Sequence, residues 1–317
     1  SLYGTYFLLP ENWRKRVKGF IINKMGGDPS LLEDGPAKLE SLTGVPVLGV
    51  LPYDNGISFW PEDSLDVKNW GSGPIRVAVV RYPGASVLTD VEPLRYEPDV
   101  SLIFASSPED LRGADVIVLP GSKSTRSDLR WIREKRMDEE IREALADGKT
   151  IVAICGGAQM IGSELRDPLG LEGEAPGNDK GLSLLPHVTI FTNEKVVRRS
   201  PASDRYGGTV DGFEIHKGNI NWTQDWHQGG GPIFETPRGP EGYQGGNLYA
   251  TLIHHAVFYD KELSGRILGG IRRRKGLPDR GEARDALSSV IGSVMRAENL
   301  LKKNIDVNRL MELLEVR

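Results

Sequence analysis

The chain has 317 residues, enough for two average domains, with 38% hydrophobic and 26% charged residues, the balance of a globular protein. With 40 basic and 44 acidic side chains the net charge is −4, which argues against a nucleic-acid protein held by a broad basic face. No apolar run reaches the roughly 18–20 residues that span a bilayer, and a single cysteine excludes an internal disulfide.

No Cys/His cluster has zinc spacing, so no metal site is expected. A reducing cytoplasm is the simplest compartment for such a chain. The N-terminus, SLYGTYFLLPENW, lacks the basic lead and small-residue cleavage site of a secretory signal. It also lacks an initiating Met, so it reads as starting inside a larger gene product.

Residues 1–67 read as α/β. Phe20, Ile21 and Ile22 form a strand core, residues 29–44 read as helical turns ending at Gly44, and residues 45–53 read as a second strand. Strand, helix, strand with short connections implies parallel pairing. Residues 68–75 shift to Gly, Ser, Pro and polar types and read as a linker. A second α/β series then occupies 76–317. Val116–Leu119 is a buried strand opening into a Gly/Ser/Lys loop, and residues 127–147 read as one helix, N-capped by Ser127 and closed by Gly148. Residues 181–255 are rich in strands, with 221–246 read as one long loop. The chain turns helical after Asp260, and the terminal helices, from about residue 283, are expected to belong to this second domain.

The stretch TIVAICGGAQMIG, residues 150–162, places the lone Cys155 between a β-branched run and a glycine pair. A thiol there sits on a tight strand-to-helix turn, where glycines allow close backbone approach and free N–H groups can stabilise a thiolate or hold an oxyanion. The plainer reading is a small buried apolar side chain. A cysteine nucleophile needs a base. His254 and His255 lie where an apolar strand ends; His216 follows, and His187 and His227 read as loop residues.

AICGGAQMIG resembles the nucleophile elbow of class I glutamine amidotransferases, and LPGSKST resembles their second oxyanion loop. GFEIHKG, LIHHAVF and LPGSKSTRSDLRWIR are similar to signatures of the cobyric acid synthase branch. SLYGT, VKGFIINKMGGDPSLL, LTGVPVLGVLPY and PEDSLDV resemble the end of that family's ATP-dependent synthetase domain, in the same order. The resemblance covers essentially the whole chain. It implies an incomplete P-loop-type parallel sheet of the dethiobiotin synthetase kind, followed by a flavodoxin-like amidotransferase domain with a helical tail.

The resemblance also implies roles. Cys155 attacks the side-chain amide of glutamine, Gly121 and Gly156 supply oxyanion N–H groups, and His255 shuttles the proton, with His254 beside it. Gln159 helps hold the glutamine. The ammonia would amidate peripheral carboxylates of adenosylcobyrinic acid a,c-diamide, a corrinoid, at the expense of ATP with Mg2+, giving adenosylcobyric acid. Asn23 and Lys24 match a base-reading pair, while Asp63, Ser64 and His216 are placed near the substrate. Val257 stands where many class I enzymes carry a Glu, so the histidine needs another orienting group. The branch itself lacks that Glu.

Three departures follow. No G-x-x-x-x-G-K-[ST] pattern occurs, so the phosphate-binding half of the synthetase and its metal-binding acids are expected to be missing. A further chain carrying that half, or a homo-oligomer, would then complete the enzyme, and this polypeptide alone would not perform ATP-dependent amidation. Gly27 replaces a usual Arg, and in RYPGASVLTD, which keeps Arg81, Pro83, Ser86, Thr89 and Asp90, Val87 replaces a usual Asn. Three other readings compete: cobyrinic acid a,c-diamide synthase, a non-catalytic module on the amidotransferase fold, and a Cys-His hydrolase on a related fold. Products on each corrinoid separate the first, and glutaminase activity lost in Cys155→Ala separates the second. The synthetase-like first domain argues against the third.

Overall fold

The computed structural model describes residues 1–54, 56–57, 68–173, 175–223, 229–281, 283 and 286–315. It divides into two units, Ser1–Phe59 with Leu287–Arg317, and Trp60–Ala286.

In the first unit, helices Leu2–Leu8 (α1), Glu11–Arg14 (α2) and Gly35–Thr43 (α3) accompany two parallel strands, Phe20–Met25 (β1) and Val47–Pro52 (β2). α3 stops at Gly44, whose φ of 68° is the left-handed turn that glycine adopts without penalty. The buried centre is small, made of Phe20, Leu39 and Val45 with Tyr6 and Val17 packed against it. The terminal helices Ala286–Asn304 and Val307–Glu315 group with this unit rather than with the second. Gly49 forms a bridge with Ile305, and the Asp306 N–H donates to the Leu48 carbonyl at 2.9 Å. An apolar stripe on a helix says that it packs, not against what.

In the second unit, within the stretch read as a linker, Trp70 exchanges two backbone hydrogen bonds with Leu102, at 2.9 and 2.7 Å. The central sheet uses Ile75–Val80 (β3), Val100–Ala105 (β5), Val116–Leu119 (β6) and Thr150–Ile154 (β8), while Ala85–Ser86 (β4) and Gly121–Ser122 (β7) pair as a small separate ladder. β6 and β8 are buried along their whole length, as expected for β-branched runs with both faces covered. Helices Pro108–Leu111 (α4), Thr125–Glu134 (α5), Met137–Ala146 (α6) and Gly156–Met160 (α7) follow in order. The single helix expected over 127–147 is thus two, broken where Arg136 takes φ 59°. The first is capped at Ser124, with Ser127 inside it.

A second sheet, of Glu164–Asp167 (β9), Gly177–Lys180 (β10), His187–Asp204 (β11), Thr209–Trp222 (β12), Phe234–Thr236 (β13) and Gly239–Glu241 (β14), carries the long β11–β12 hairpin. Tyr243–Gly245 (β15) and Leu248–Thr251 (β16) then complete the central sheet in the order β15-β16-β8-β6-β3-β5, and Lys261–Arg274 (α8) follows, its buried face part of the same core. The stretch expected as one loop, 221–246, therefore holds three short strands. Four of its described glycines take positive φ, Gly229, Gly239, Gly242 and Gly246, and the last three turn the chain at or between strands too short to show alternation.

Close packing of α7 on β6 depends on Gly157, where a Cβ would lie 2.1 Å from the Leu119 carbonyl oxygen. Gly157→Ala is expected to cost about 3 kcal/mol, the upper range for overpacking. Gly113→Ala, at positive φ in open space, is expected to cost about 1 kcal/mol. Urea unfolding of both variants checks the contrast.

Candidate active site

β8 ends at Ile154 and α7 begins at Gly156, so Cys155 must turn the chain within one residue. It does so at φ 51°, ψ −109°, a strained conformation for a side-chain-bearing residue and the mark of an elbow that presents its side chain. Its N–H donates to the Thr251 carbonyl at 2.8 Å, tying the elbow to β16. The thiol is 5% exposed, and Sγ donates to the Ile215 carbonyl of β12 at 3.7 Å. α7 spans only five residues. Its dipole is correspondingly small, and local N–H groups carry more of any anion stabilisation than the helix as a whole.

The imidazole facing Cys155 belongs to His254, not to His255. His254 is 1% exposed, and its Nδ1 lies 2.7 Å from Asp90 Oδ2. That contact leaves Nε2 for the side of the elbow, and the Cys155 sulfur is among the groups that favour the charged ring. Burial is the largest influence on this ring and works against its charged form. The Asp90 carboxylate and the Cys155 sulfur together outweigh it, pushing the pKa up to about 10. Phe213 stacks on the ring at 5.2 Å.

His255 points elsewhere. Its Nε2 is 2.8 Å from Thr89 Oγ1, and its ring stacks on Tyr259 at 4.6 Å with the edge of Phe213 at 5.0 Å. Burial lowers its pKa. Its backbone N–H donates to Asp90 Oδ1 at 2.7 Å, and its φ is 54°. The reversal of backbone direction at this residue separates the two rings, so the ring held by Asp90 is that of His254, while His255, read from the sequence as the proton shuttle, turns toward Thr89 and Tyr259. Asp90, 2% exposed in the 3-10 helix Leu88–Tyr96, is the acid that holds the His254 ring, and sequence reasoning gave it no such part. The signal was present in the TD pair of RYPGASVLTD. Its meaning needed the fold, because 164 residues separate Asp90 from His254.

The loop after β6 is brought to the elbow by glycine. A Cβ on Gly156 would lie 2.7 Å from the Ser122 nitrogen, and one on Gly121 would lie 2.9 Å from His254 Cε1. Gly121 and Gly156 therefore do converge beside Cys155 and His254. The Lys123 N–H donates to Gly84 across the β4–β7 ladder, so the alternation of a strand directs the Ser122 N–H away from β4. The buried Asp128 of α5 fixes this loop, accepting from the Gly84 N–H at 2.9 Å and from the Ser122 hydroxyl. Burial raises its pKa.

The remaining residues fare differently. Gln159 is 2% exposed and its amide is occupied: Nε2 donates to the Lys217 and Gly218 carbonyls, at 2.8 and 3.4 Å, and Oε1 accepts from Thr125. It pins α7 to β12 instead of offering a free amide. His216 lies on the opposite face of β12 from Phe213, with Nε2 3.2 Å from Glu214 Oε2 and Nδ1 3.1 Å from the Gly218 carbonyl. His187 is buried and not a surface-loop residue. Asn23 and Lys24 lie in the first unit, where Asn23 Oδ1 accepts the Lys24 N–H at 2.9 Å at the irregular end of β1. Asp63, Ser64 and His227 lie outside the described residues.

A buried cysteine on an elbow, an imidazole oriented by a buried carboxylate, and converging backbone N–H groups together suit acyl transfer through a thioester. A profile described as a CobB/CobQ-like glutamine amidotransferase domain matches residues 76–262, more than half of the chain. The chain is 37% identical to a cobyric acid synthase of Mycolicibacterium gilvum over 99% of its own length and 61% of that protein. It is 35% identical to a probable cobyric acid synthase of Methanocaldococcus jannaschii, over 88% and 58%. It thus spans about three fifths of the length of these relatives. Among solved structures, PurLQS from Thermotoga maritima matches at a TM-score of 0.44 and 16% identity, covering 69% of this chain and 99% of that one. The chain belongs to the CobB/CobQ-like glutamine amidotransferase family.

Proposed function

We propose that the larger unit hydrolyses glutamine in an enzyme of the cobyric acid synthase type. The observation that carries this reading is the alignment of Cys155, His254 and Asp90 at the strand-to-helix elbow. Cys155 Sγ attacks the side-chain carboxamide carbon of glutamine. Gly156 and the Gly121–Ser122 loop supply N–H groups for the oxyanion. His254 passes a proton to the leaving nitrogen, releasing ammonia and leaving a γ-glutamyl thioester. Water, deprotonated by the same ring, then frees glutamate and the thiol.

The relatives named cobyric acid synthase support a fate for the ammonia: amidation of peripheral carboxylates of a corrinoid, adenosylcobyrinic acid a,c-diamide. That step calls for ATP and Mg2+. Among the described residues no group of three or more acidic, His or Cys side chains is placed to hold a metal, and the Asn23 side-chain oxygen is taken by the Lys24 backbone N–H. Glutamine hydrolysis is therefore the activity proposed for the chain itself. The acceptor and a chain or segment binding ATP are its proposed partners.

In a coupled glutamate assay, Cys155→Ala abolishes hydrolysis and His254→Asn lowers kcat by about 10²–10⁴, whereas His255→Asn stays within about tenfold. A severe loss in His255→Asn with activity kept in His254→Asn would reverse the assignment, and a wild-type chain that releases no ammonia from glutamine would end it. Imidazole NMR is expected to show His254 still protonated at about pH 8, and titrating near the ordinary range once Asp90→Asn removes the carboxylate. Because the folded-state pKa of His254 is raised, its pair with Asp90 stabilises fully below pH 6.5 and loses that contribution as pH rises through about 10. The stability gap between wild type and Asp90→Asn should narrow over that window in denaturant titrations.

A further inference from the structure

A cavity of about 380 Å³ lies across β12 from the thiol, and glutamine hydrolysis does not account for it. Its size falls within the range of small-molecule sites. Neither Cys155 nor His254 lines it, yet it shares backbone with their site. Ala158 of α7 lines it, as does Thr251, whose carbonyl holds the Cys155 N–H.

Two groups in this cavity are incompletely compensated, one in charge and one in hydrogen bonding. Glu241 accepts from Thr251 Oγ1 at 2.6 Å and from the Leu252 N–H at 2.7 Å, both uncharged donors. Burial pushes its pKa up to about 7 against those bonds, and the second carboxylate, Glu214, adds to the rise. Glu214 itself is compensated: Arg198 grips it at 2.9 and 2.8 Å, and Arg238 reaches it at 3.1 Å. His187 is 1% exposed, and neither ring nitrogen makes a hydrogen bond. Burial lowers its pKa to about 4, so the ring is neutral and keeps an acceptor lone pair. Trp222 packs against His187 at 5.2 Å and against Tyr243 at 5.9 Å, giving the cavity an aromatic wall.

We propose that this cavity is a binding site for a small primary-amine cation, ammonium being its smallest member. An ammonium group supplies the positive charge that Glu241 lacks and N–H donors for both the carboxylate and the His187 lone pair, while the Trp222 and Tyr243 rings favour a cation. An anion would meet Glu241 and Glu214 with no unspent basic group. The amine has two possible sources, ammonia set free at Cys155 or amine from solution. Only the first rests on the glutaminase reading.

The probe is methylammonium, followed by ligand-observed NMR on the full chain. The other titratable groups facing Glu241 are Glu194 and Arg198 from β11, Glu214 and His216 from β12, Tyr243 from β15, and His187. Methylammonium stays a cation across neutral pH, so binding tightens as Glu241 ionises, by about tenfold from pH 6 to pH 8. Glu241→Gln weakens it at least tenfold, His187→Gln weakens it too, and Cys155→Ala leaves it unchanged. If Glu241→Gln fails to fold by thermal melting, the His187→Gln result decides. Absence of saturable binding, binding indifferent to both substitutions, or preferential binding of acetate overturns the proposal. Turnover of glutamine labelled with 15N in the amide distinguishes the sources. Retention of labelled ammonium that depends on Glu241, at an unchanged hydrolysis rate, assigns it to Cys155. Binding from solution with no retention of label assigns it to outside amines. Methylammonium binding in a chain that does not hydrolyse glutamine would leave this site standing and end the glutaminase reading.

Discussion

One carboxylate holds the proposed chemistry together. Asp90 spends one oxygen on the His254 ring and the other on the His255 backbone. The first bond fixes the tautomer and direction of the imidazole. The second holds a left-handed residue immediately after it, which sends the next ring away toward Thr89 and Tyr259. No acid stands two residues past His254, where the chain has Ala256, and Asp90 offsets this from a different part of the fold. A buried carboxylate with both oxygens engaged has little freedom to drift, which is what an orienting group requires.

Around that centre, precision is obtained by removing side chains. Gly121, Gly156 and Gly157 each stand where a Cβ would collide with backbone or with His254. They let the loop after β6, the elbow and the strand beneath approach within hydrogen-bonding distance of one another. The buried polar side chains then lock the arrangement: Asp128 holds the loop and Gln159 ties α7 to β12. Neither needs to touch a substrate to matter for it.

The sequence was informative where local chemistry decides the outcome. The buried β-branched runs before Gly121 and Cys155, the elbow itself and the parallel pair Phe20–Met25 with Val47–Pro52 all announce themselves by composition and spacing. It was silent where two distant segments must meet. Adjacent histidines are indistinguishable until a positive φ at the second one separates their rings, and Asp90 gains its role only through a contact across 164 positions. The family resemblance cast Gln159 as a substrate ligand. The structure shows its amide already occupied by carbonyls that no local pattern could reveal. Short strands hid inside a glycine-rich stretch for the same reason, since three residues carry too little periodicity to register.

β12 is a partition wall one residue thick. Phe213 stacks on His254, and the Ile215 backbone meets the thiol, while Glu214 and His216 face the acidic cavity behind. Side chains along a strand alternate with a strict period of two, so the wall has no intermediate setting. Inserting or deleting one residue between the hairpin turn and Phe213 would exchange its faces, turning a carboxylate toward the sulfur and a phenyl ring into the cavity. The length of that short segment is therefore under a parity constraint, tolerant of paired changes and intolerant of single ones, even though none of its residues takes part in the chemistry.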